Sequence, residues 1–199
     1  MTEQLFVEHT LWRKGNQFRV SVLAADDPSG RNPATAAVYG NPQNDCLVRI
    51  HSRCVYGEVF QSDDCDCRSQ LHTALEMIDE ERAGVVIYLD QEGRGEGLRN
   101  KARGYVYSQE HHTDTFTSYR ALGLPDDSRS YEGAAELLRR LDLTSVRLLT
   151  NNPAKVKALQ DHGIVAKRES WTVPVSESAQ QYLEAKRQHG HMIATAQAD

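Results

Sequence analysis

Apolar and polar residues alternate over the first third of the chain, which predicts short strands separated by turns. Phe18-Arg19-Val20-Ser21-Val22-Leu23 alternates, Asp26-Asp27-Pro28-Ser29-Gly30 interrupts, and Ala36-Ala37-Val38-Tyr39 resumes before Gly40. Cys46-Leu47-Val48-Arg49-Ile50-His51 reads as a further strand, and the two-residue period puts Arg49 and His51 on one face. After Cys67 the period changes. Leu71, Ala74, Leu75 and Ile78 fall at i, i+3, i+4 and i+7, the stripe of an amphipathic helix that ends near Gly84. Val85-Val86-Ile87-Tyr88-Leu89 is a continuous apolar run, as expected of a strand buried on both faces.

Gly93, Gly95 and Gly97 then precede a helix predicted from about Leu98 to Tyr107, and residues 108–128 read as polar and turn-rich. Tyr131 to Leu141 has a helical stripe at Leu137, Leu138 and Leu141, followed by the strand Val146-Arg147-Leu148-Leu149. Asn152-Pro153 opens the next helix as N-cap and first helical residue, and Gly163 closes it. Ile164-Val165 and Trp171 to Val175 suggest further strand, and Ser176 starts a polar helix carrying Tyr182 and Leu183. The succession predicts a single mixed α/β (α+β) domain over residues 1–199 with a polar tail from about 193. Antiparallel strands occupy the N-terminal third of its mixed sheet, and strands alternate with helices after residue 66.

Three of the predicted strand ends carry residues with chemistry. Cys54 follows the first, with Cys65-Asp66-Cys67 beginning eleven residues on; three thiols at this spacing suit a borderline-soft ion such as Zn²⁺ and leave a tetrahedral site one ligand short, or they pack as reduced core cysteines. An open fourth position is how a zinc ion holds a reactive water. Asp90-Gln91-Glu92-Gly93-Arg94-Gly95-Glu96-Gly97 follows the second. Its glycines let backbone N–H groups approach an anion, and Arg94, Arg99, Lys101 and Arg103 offer charge-assisted bonds to phosphate. The third glycine of the dinucleotide fingerprint is missing. Thr150-Asn151-Asn152-Pro153-Ala154-Lys155 is a strand end feeding a helix N-terminus, which favours phosphate if it is more than an ordinary cap. His111 and His112 have no partner at metal-ligand spacing and read as exposed loop residues.

Charge narrows the partners. A net charge of −5 over 199 residues argues against nucleic acid and membrane surfaces, which usually leave a basic footprint, while a local cation cluster can still take a small anion. Four cysteines, Cys46 and the three above, do not form the framework of a secreted mini-protein, and the N-terminus has no basic and apolar leader. Together with the lack of an apolar run of about 20 residues, this predicts a cytoplasmic protein.

Arg49-Ile50-His51-Ser52, Cys54, Gly57, Cys65-Asp66-Cys67, Gln70-Leu71, Gln91-Glu92-Gly93-Arg94, Gly97-Leu98, Asn100-Lys101 and Leu149-Thr150-Asn151-Asn152-Pro153-Lys155 together resemble GTP cyclohydrolase II over residues 34–192. The resemblance implies a zinc- and Mg²⁺-dependent homodimer that opens the imidazole ring of GTP. It would release formate from C8 and pyrophosphate, leaving 2,5-diamino-6-ribosylamino-4(3H)-pyrimidinone 5′-phosphate for riboflavin synthesis. It further implies that Cys54, Cys65 and Cys67 hold zinc. Arg49, His51, Ser52, Gln70, Glu92, Gly93, Arg94, Thr115, Thr150 and Lys155 would bind substrate. Asp127 would be a proton acceptor, Arg129 a nucleophile toward the α-phosphate or a stabiliser of charge there, and Tyr105 a neighbour of the opened ring.

The chain departs from that family's pattern at Arg53, Tyr56 and Thr117-Ser118-Tyr119. The last replaces a Glu-Ala-Asn whose glutamate could accept from the guanine N1–H and amine. Three readings follow: a paralogue giving a formylated product or taking another purine nucleotide, a looser base specificity, or a locally different loop. A non-catalytic nucleotide-binding zinc protein is the remaining alternative.

Overall fold

The computed structural model describes residues 6–23, 34–171, 173 and 177–192. Seven strands form one mixed sheet: β1 (Phe6–Arg13), β2 (Asn16–Leu23), β3 (Ala34–Tyr39), β4 (Cys46–Ser52), β5 (Gly84–Leu89), β6 (Ser145–Leu149) and β7 (Val165–Glu169), in the order β1-β2-β3-β5-β4-β6-β7. Pairings from β1 to β5 along that order are antiparallel, and β5-β4, β4-β6 and β6-β7 are parallel. Helices are α1 (Val55–Glu58), α2 (Cys67–Glu81), α3 (Gly97–His111), α4 (Thr115–Ala121), α5 (Glu132–Arg140), α6 (Pro153–Asp161) and α7 (Glu177–Gln188).

The two faces of the sheet are covered by different helices. On one, Ala74 and Ile78 of α2 pack with Leu47, Val86, Leu149 and Trp171. On the other, Ala134, Ala135, Leu137 and Leu138 of α5 and Leu159 of α6 pack on Ile50, Ile87 and Leu148. Burial of a side chain such as Ile78, which has no exposed surface, is worth about 1.5–3 kcal/mol. Helices α3 and α4 pack chiefly on each other and on the turn after β5.

Most predicted elements stand, with shifts that have local causes. The hairpin strand β1 carries no alternation because its burial pattern is almost wholly exposed; it is set by Lys14 and Gly15, both at positive φ (49° and 80°), a two-residue turn. Residues 108–128 contain the end of α3 and all of α4, where loop was expected. Asp114 caps α4 by accepting from the Phe116 and Thr117 amides, and Phe116, Ser118 and Tyr119 are buried. Ile164-Val165 grows into β7, whereas Trp171 and Val173 lie outside any strand. The expected turn at Asp26–Gly30, the rest of the 171–175 strand, Ser176 and the tail from 193 lie outside the described residues.

This topology places the site. Ser52 pairs in register with Leu89, and β6 ends on the other side of β4, so the carboxyl ends of three neighbouring parallel strands lie side by side. Ligands of open α/β sheets bind outside such ends, where the strand order reverses.

Candidate active site

Cys54 stands just past β4, held in place by the Arg53 amide donating to Leu89 O at 2.9 Å. Cys65 precedes α2 and Cys67 is its first residue. Their sulfurs all lie within 4.8 Å of one another, and Cys54 Sγ to Cys65 Sγ is 3.7 Å. A tetrahedron with Zn–S bonds of ~2.3 Å has an edge of about 3.8 Å, so the thiols fit a zinc ion.

Gly57 makes room for them. A Cβ there would meet Cys65 Sγ at 2.8 Å and Cys67 Cβ at 3.2 Å. Gly57→Ala is therefore expected to weaken zinc binding by about tenfold, read by chelator competition, while the protein remains folded.

Two groups offset the charge of the thiols. Lys101 Nζ lies 3.1 Å from Cys54 Sγ and donates to Glu92 Oε1 at 2.7 Å, and the Gly57 amide donates to Cys54 Sγ at 3.5 Å. Hydrogen bonds from Cys65 and Cys67 hold the Cys54 thiol far below its usual pKa, with Lys101 adding to the effect. Cys65 is pushed up to about 11 by its bond to Cys54, and both neighbours and burial raise Cys67 well above the usual thiol value.

The thiols form one wall of a pocket whose other walls come from the turn after β5 and from α3 and α4. Of the sequence candidates, Ser52, Glu92, Gly93, Arg94, Lys101, Tyr105, Thr115 and Arg129 line it; Arg53, Gln91, Gly104 and Tyr119 line it as well. Gly93 and Arg94 both take positive φ (61° and 57°), so the chain turns sharply here. That aims Arg94 Nη2 at Thr115 Oγ1, 2.8 Å away, and lays the guanidinium over the Phe116 ring at 3.5 Å. Arg94 Nη1 and Ser52 Oγ are buried without a partner among the described atoms. Tyr105 meets Tyr56 edge to face at 5.3 Å, and Tyr56 takes the Lys101 ammonium on its ring at 4.4 Å.

The remaining sequence candidates are outside the pocket lining, and several belong to a cluster of mutually interacting cations. Buried Arg49 donates to Leu149 O at 2.8 Å and to Gln70 Oε1 at 2.5 Å, and burial draws its pKa down to about 10. Lys155 donates to Ile50 O at 2.9 Å; burial, then the charges of Arg49 and Arg129, push its pKa well down. Thr150 Oγ1 accepts from the Asn152 amide at 3.0 Å, and Asn152 caps α6. Burial and the charges of Lys186, Arg129, Lys155 and Arg94 lower His191 to about 4. Arg129 thus faces both the metal pocket and the cations. Its Nε and Nη2 grip Asp127 at 2.8 and 2.5 Å.

His51 is buried, 3.0 Å from Glu58 Oε1. Glu58 also accepts from the Cys54 amide at 2.7 Å and the Tyr88 hydroxyl at 2.8 Å, which makes it the buttress of the Cys54 turn. Glu92 is committed to the Val55 amide and Lys101, both at 2.7 Å. Sequence reasoning missed Glu58 and the thiolate contact of Lys101. An acid one turn into the helix that follows a candidate ligand is the signal that was available for Glu58.

Arg99 and Arg103 are exposed, away from the phosphate role expected of them, and His111 and His112 are exposed at the end of α3. Of the departures, Arg53 pairs with Asp90 at 2.8 Å at the pocket mouth. Thr117 is exposed, its hydroxyl donating to Asp114 at 2.6 Å, whereas Tyr119 reaches the pocket and donates to Gly93 O at 3.1 Å.

Comparison with known proteins adds the lineage. The GTP cyclohydrolase II family profile matches residues 7–169. The riboflavin biosynthesis protein RibBA of Staphylococcus epidermidis is 42% identical over 160 residues, 79% of this chain and 40% of that protein. The GTP cyclohydrolase-2 of Archaeoglobus fulgidus is 48% identical over 153 residues, 76% of this chain and 40% of that protein. The chain thus spans about two fifths of the length of the curated relatives it matches. Among solved structures, RibBX of A. baumannii, a two-domain 3,4-dihydroxy-2-butanone 4-phosphate synthase, covers 86% of this chain and 41% of its own at 16% identity, with a TM-score of 0.41, too little to define a common fold. No helix among the described residues is long and apolar enough to cross a membrane. The profile match and the identity shared with these relatives show that the chain belongs to the GTP cyclohydrolase II family.

Proposed function

We propose that this chain opens the imidazole ring of GTP, releasing formate and pyrophosphate and leaving 2,5-diamino-6-ribosylamino-4(3H)-pyrimidinone 5′-phosphate. The observation that carries this reading is the junction at Arg129. Arg129 lines the three-thiol pocket, and it is also within electrostatic reach of Lys155, as Arg49 and Lys186 are. A purine seated against the thiols would direct its phosphates past Arg129 into the cations.

Zn²⁺ held by Cys54, Cys65 and Cys67 supplies a Lewis acid with an open position for water. Around it, Lys101 and the Gly57 amide draw charge from Cys54, and hydrogen bonds of this kind tune what a ligand donates. Tyr105, braced by Tyr56, walls the ring side. Arg94, locked between Thr115 and Phe116, keeps Nη1 for the substrate. Asp127 holds Arg129 in a bidentate pair, which favours the charged guanidinium. That supports charge stabilisation at phosphorus over nucleophilic attack, since guanidinium is almost always protonated. Mg²⁺ would accompany the triphosphate. Exposed Val59, Phe60 and Val106, on or next to the helices that carry Tyr56 and Tyr105, suit the contact of a homodimer. We place the enzyme in the cytoplasm, with GTP rather than nucleic acid or membrane as its partner.

The test is turnover of GTP by the zinc-loaded protein with Mg²⁺, with formate, pyrophosphate and product mass measured and ATP and GDP run in parallel. Ring-opened, deformylated product from GTP is expected, and no turnover by the loaded protein sinks the reading. One observation favours a second reading: Thr117 is exposed and outside the pocket lining, whereas Tyr119 lines it. The base edge then meets an aromatic wall, so turnover of another purine nucleotide, or a formylated product, would identify a paralogue with a changed base site.

A further inference from the structure

The family profile ends at residue 169, yet the chain beyond it is anchored to the site at three points. Lys186 Nζ donates to Asp66 Oδ1 at 2.7 Å, in a pair whose side chains keep only 13% and 2% of their exposure. His189 stacks face to face on Phe116, centroids 3.6 Å apart, on the residue over which Arg94 lies. The Met192 amide donates to Asn151 O at 2.8 Å, beside the end of β6. Helix α7 and the residues after it therefore touch the start of α2, helix α4 and the loop that follows β6.

The first of these anchors reaches furthest into the chemistry. Asp66 is the residue between Cys65 and Cys67, so its carboxylate adds a negative charge beside two sulfurs that must also turn negative to hold a cation. Its second oxygen accepts from Gln70 Nε2 at 2.5 Å, and Gln70 Oε1 in turn accepts from Arg49 Nη2 at 2.5 Å. Among the described residues Lys186 makes the direct ion pair with Asp66, and it arrives from 120 residues away; Arg49 lies within electrostatic reach of the same carboxylate. A buried carboxylate stripped of its cation would seek another partner, and Gln70 and Arg49 are the groups within reach.

We propose that Lys186 is a positioning residue: by pairing with Asp66 it fixes the Cys65–Cys67 turn in its ligating shape and, through Gln70, holds Arg49 at the anion side of the site. The metal part of this rests on the zinc reading above; the ordering of the turn does not.

Three variants test it: Lys186→Met, Lys186→Arg, and the pair Lys186→Met with Asp66→Asn, which leaves no unpaired buried charge and keeps the test open if the single variant misfolds. Hydrogen–deuterium exchange of residues 65–71 in metal-free protein and Zn²⁺ affinity by chelator competition are measured with thermal midpoints. Lys186→Met is expected to speed exchange at 65–71 and to weaken Zn²⁺ about tenfold or more, with most of both restored in Lys186→Arg. The paired variant should recover thermal stability without recovering the affinity. Unchanged exchange at 65–71 and unchanged affinity in a folded Lys186→Met would overturn the proposal, as would a change confined to α7. Wild-type protein that takes no zinc would instead remove the zinc reading, and the exchange at 65–71 would then decide the role of Lys186 alone.

Discussion

Cys54→Ser is expected to lose its zinc and at least about 10³-fold in GTP turnover, some 4 kcal/mol of transition-state stabilisation. Serine keeps the shape of the side chain and can still accept from the Gly57 amide, so α1 stays capped and the loss isolates the ligand. A hydroxyl is a poor ligand for a soft-tolerant ion. Cys54 is also the sulfur toward which Lys101 points, and its thiol is held below the usual value. Cys46 is the internal control. It lies at the start of β4, outside the trio, with its thiol pushed up to about 11 by burial, and Cys46→Ser should keep its metal. Since Cys65 and Cys67 are both raised in the unliganded trio, zinc must displace their protons. Apparent affinity should climb with pH, roughly tenfold per unit for each proton released. Metal analysis after chelator dialysis, together with formate release, reads all of this. A Cys54→Ser protein that still releases formate at the wild-type rate would remove zinc from the reaction.

The parts of this site that could be read in the sequence were those whose chemistry and position are set locally. The thiol spacing needs only a strand end and a helix start. The stripe Leu71, Ala74, Leu75, Ile78 gave α2, and the apolar run at 85–89 gave the central strand β5, whose register with β4 brings Ser52 opposite Leu89. What escaped depends on contacts between distant residues. Helix α4 is short and polar, and its buried side comes from Phe116 and Tyr119 meeting α3 and the Gly93 turn, which no periodicity over so few residues reveals. Lys101 read as one more cation on a basic helix; the Cys54 sulfur that selects it is 47 residues away. Lys186 sits on a polar helix, and only the fold shows that its ammonium lies against a buried acid between two candidate ligands. The strand β1 went unread for the opposite reason: with both faces exposed it had no pattern to show.

Arg129→Ala is expected to cost about 10³-fold in pyrophosphate release, with a smaller effect on zinc content than any cysteine substitution. Arg129 lines the pocket and is within electrostatic reach of the cation cluster, so its loss removes a charge placed where base and phosphates would meet. The two roles open to it make different demands. As a nucleophile it must shed a proton, which the bidentate carboxylate of Asp127 opposes. As a stabiliser it must stay charged and be aimed, which that same carboxylate achieves. On the second account, Arg129→Lys keeps part of the activity lost in Arg129→Ala, because charge survives while the forked grip is lost. Acid-quenched enzyme then carries no nucleotide on residue 129. Asp127→Asn leaves the guanidinium charged but loosely held, and its cost should fall between the two Arg129 variants. The pH profile follows from the same pair. Burial works against the Asp127 charge, but Arg129 outweighs it and holds the carboxyl below its usual value. The ionised pair is therefore fully formed above the ordinary carboxylate pKa of about 3.9 and is lost only as pH falls through a lower value. Asp127 should thus contribute no limb to the rate profile near neutrality. A covalent adduct on Arg129 by mass spectrometry would overturn the stabiliser role and make Asp127 the base that activates it. Wild-type pyrophosphate release by Arg129→Ala would exclude both roles.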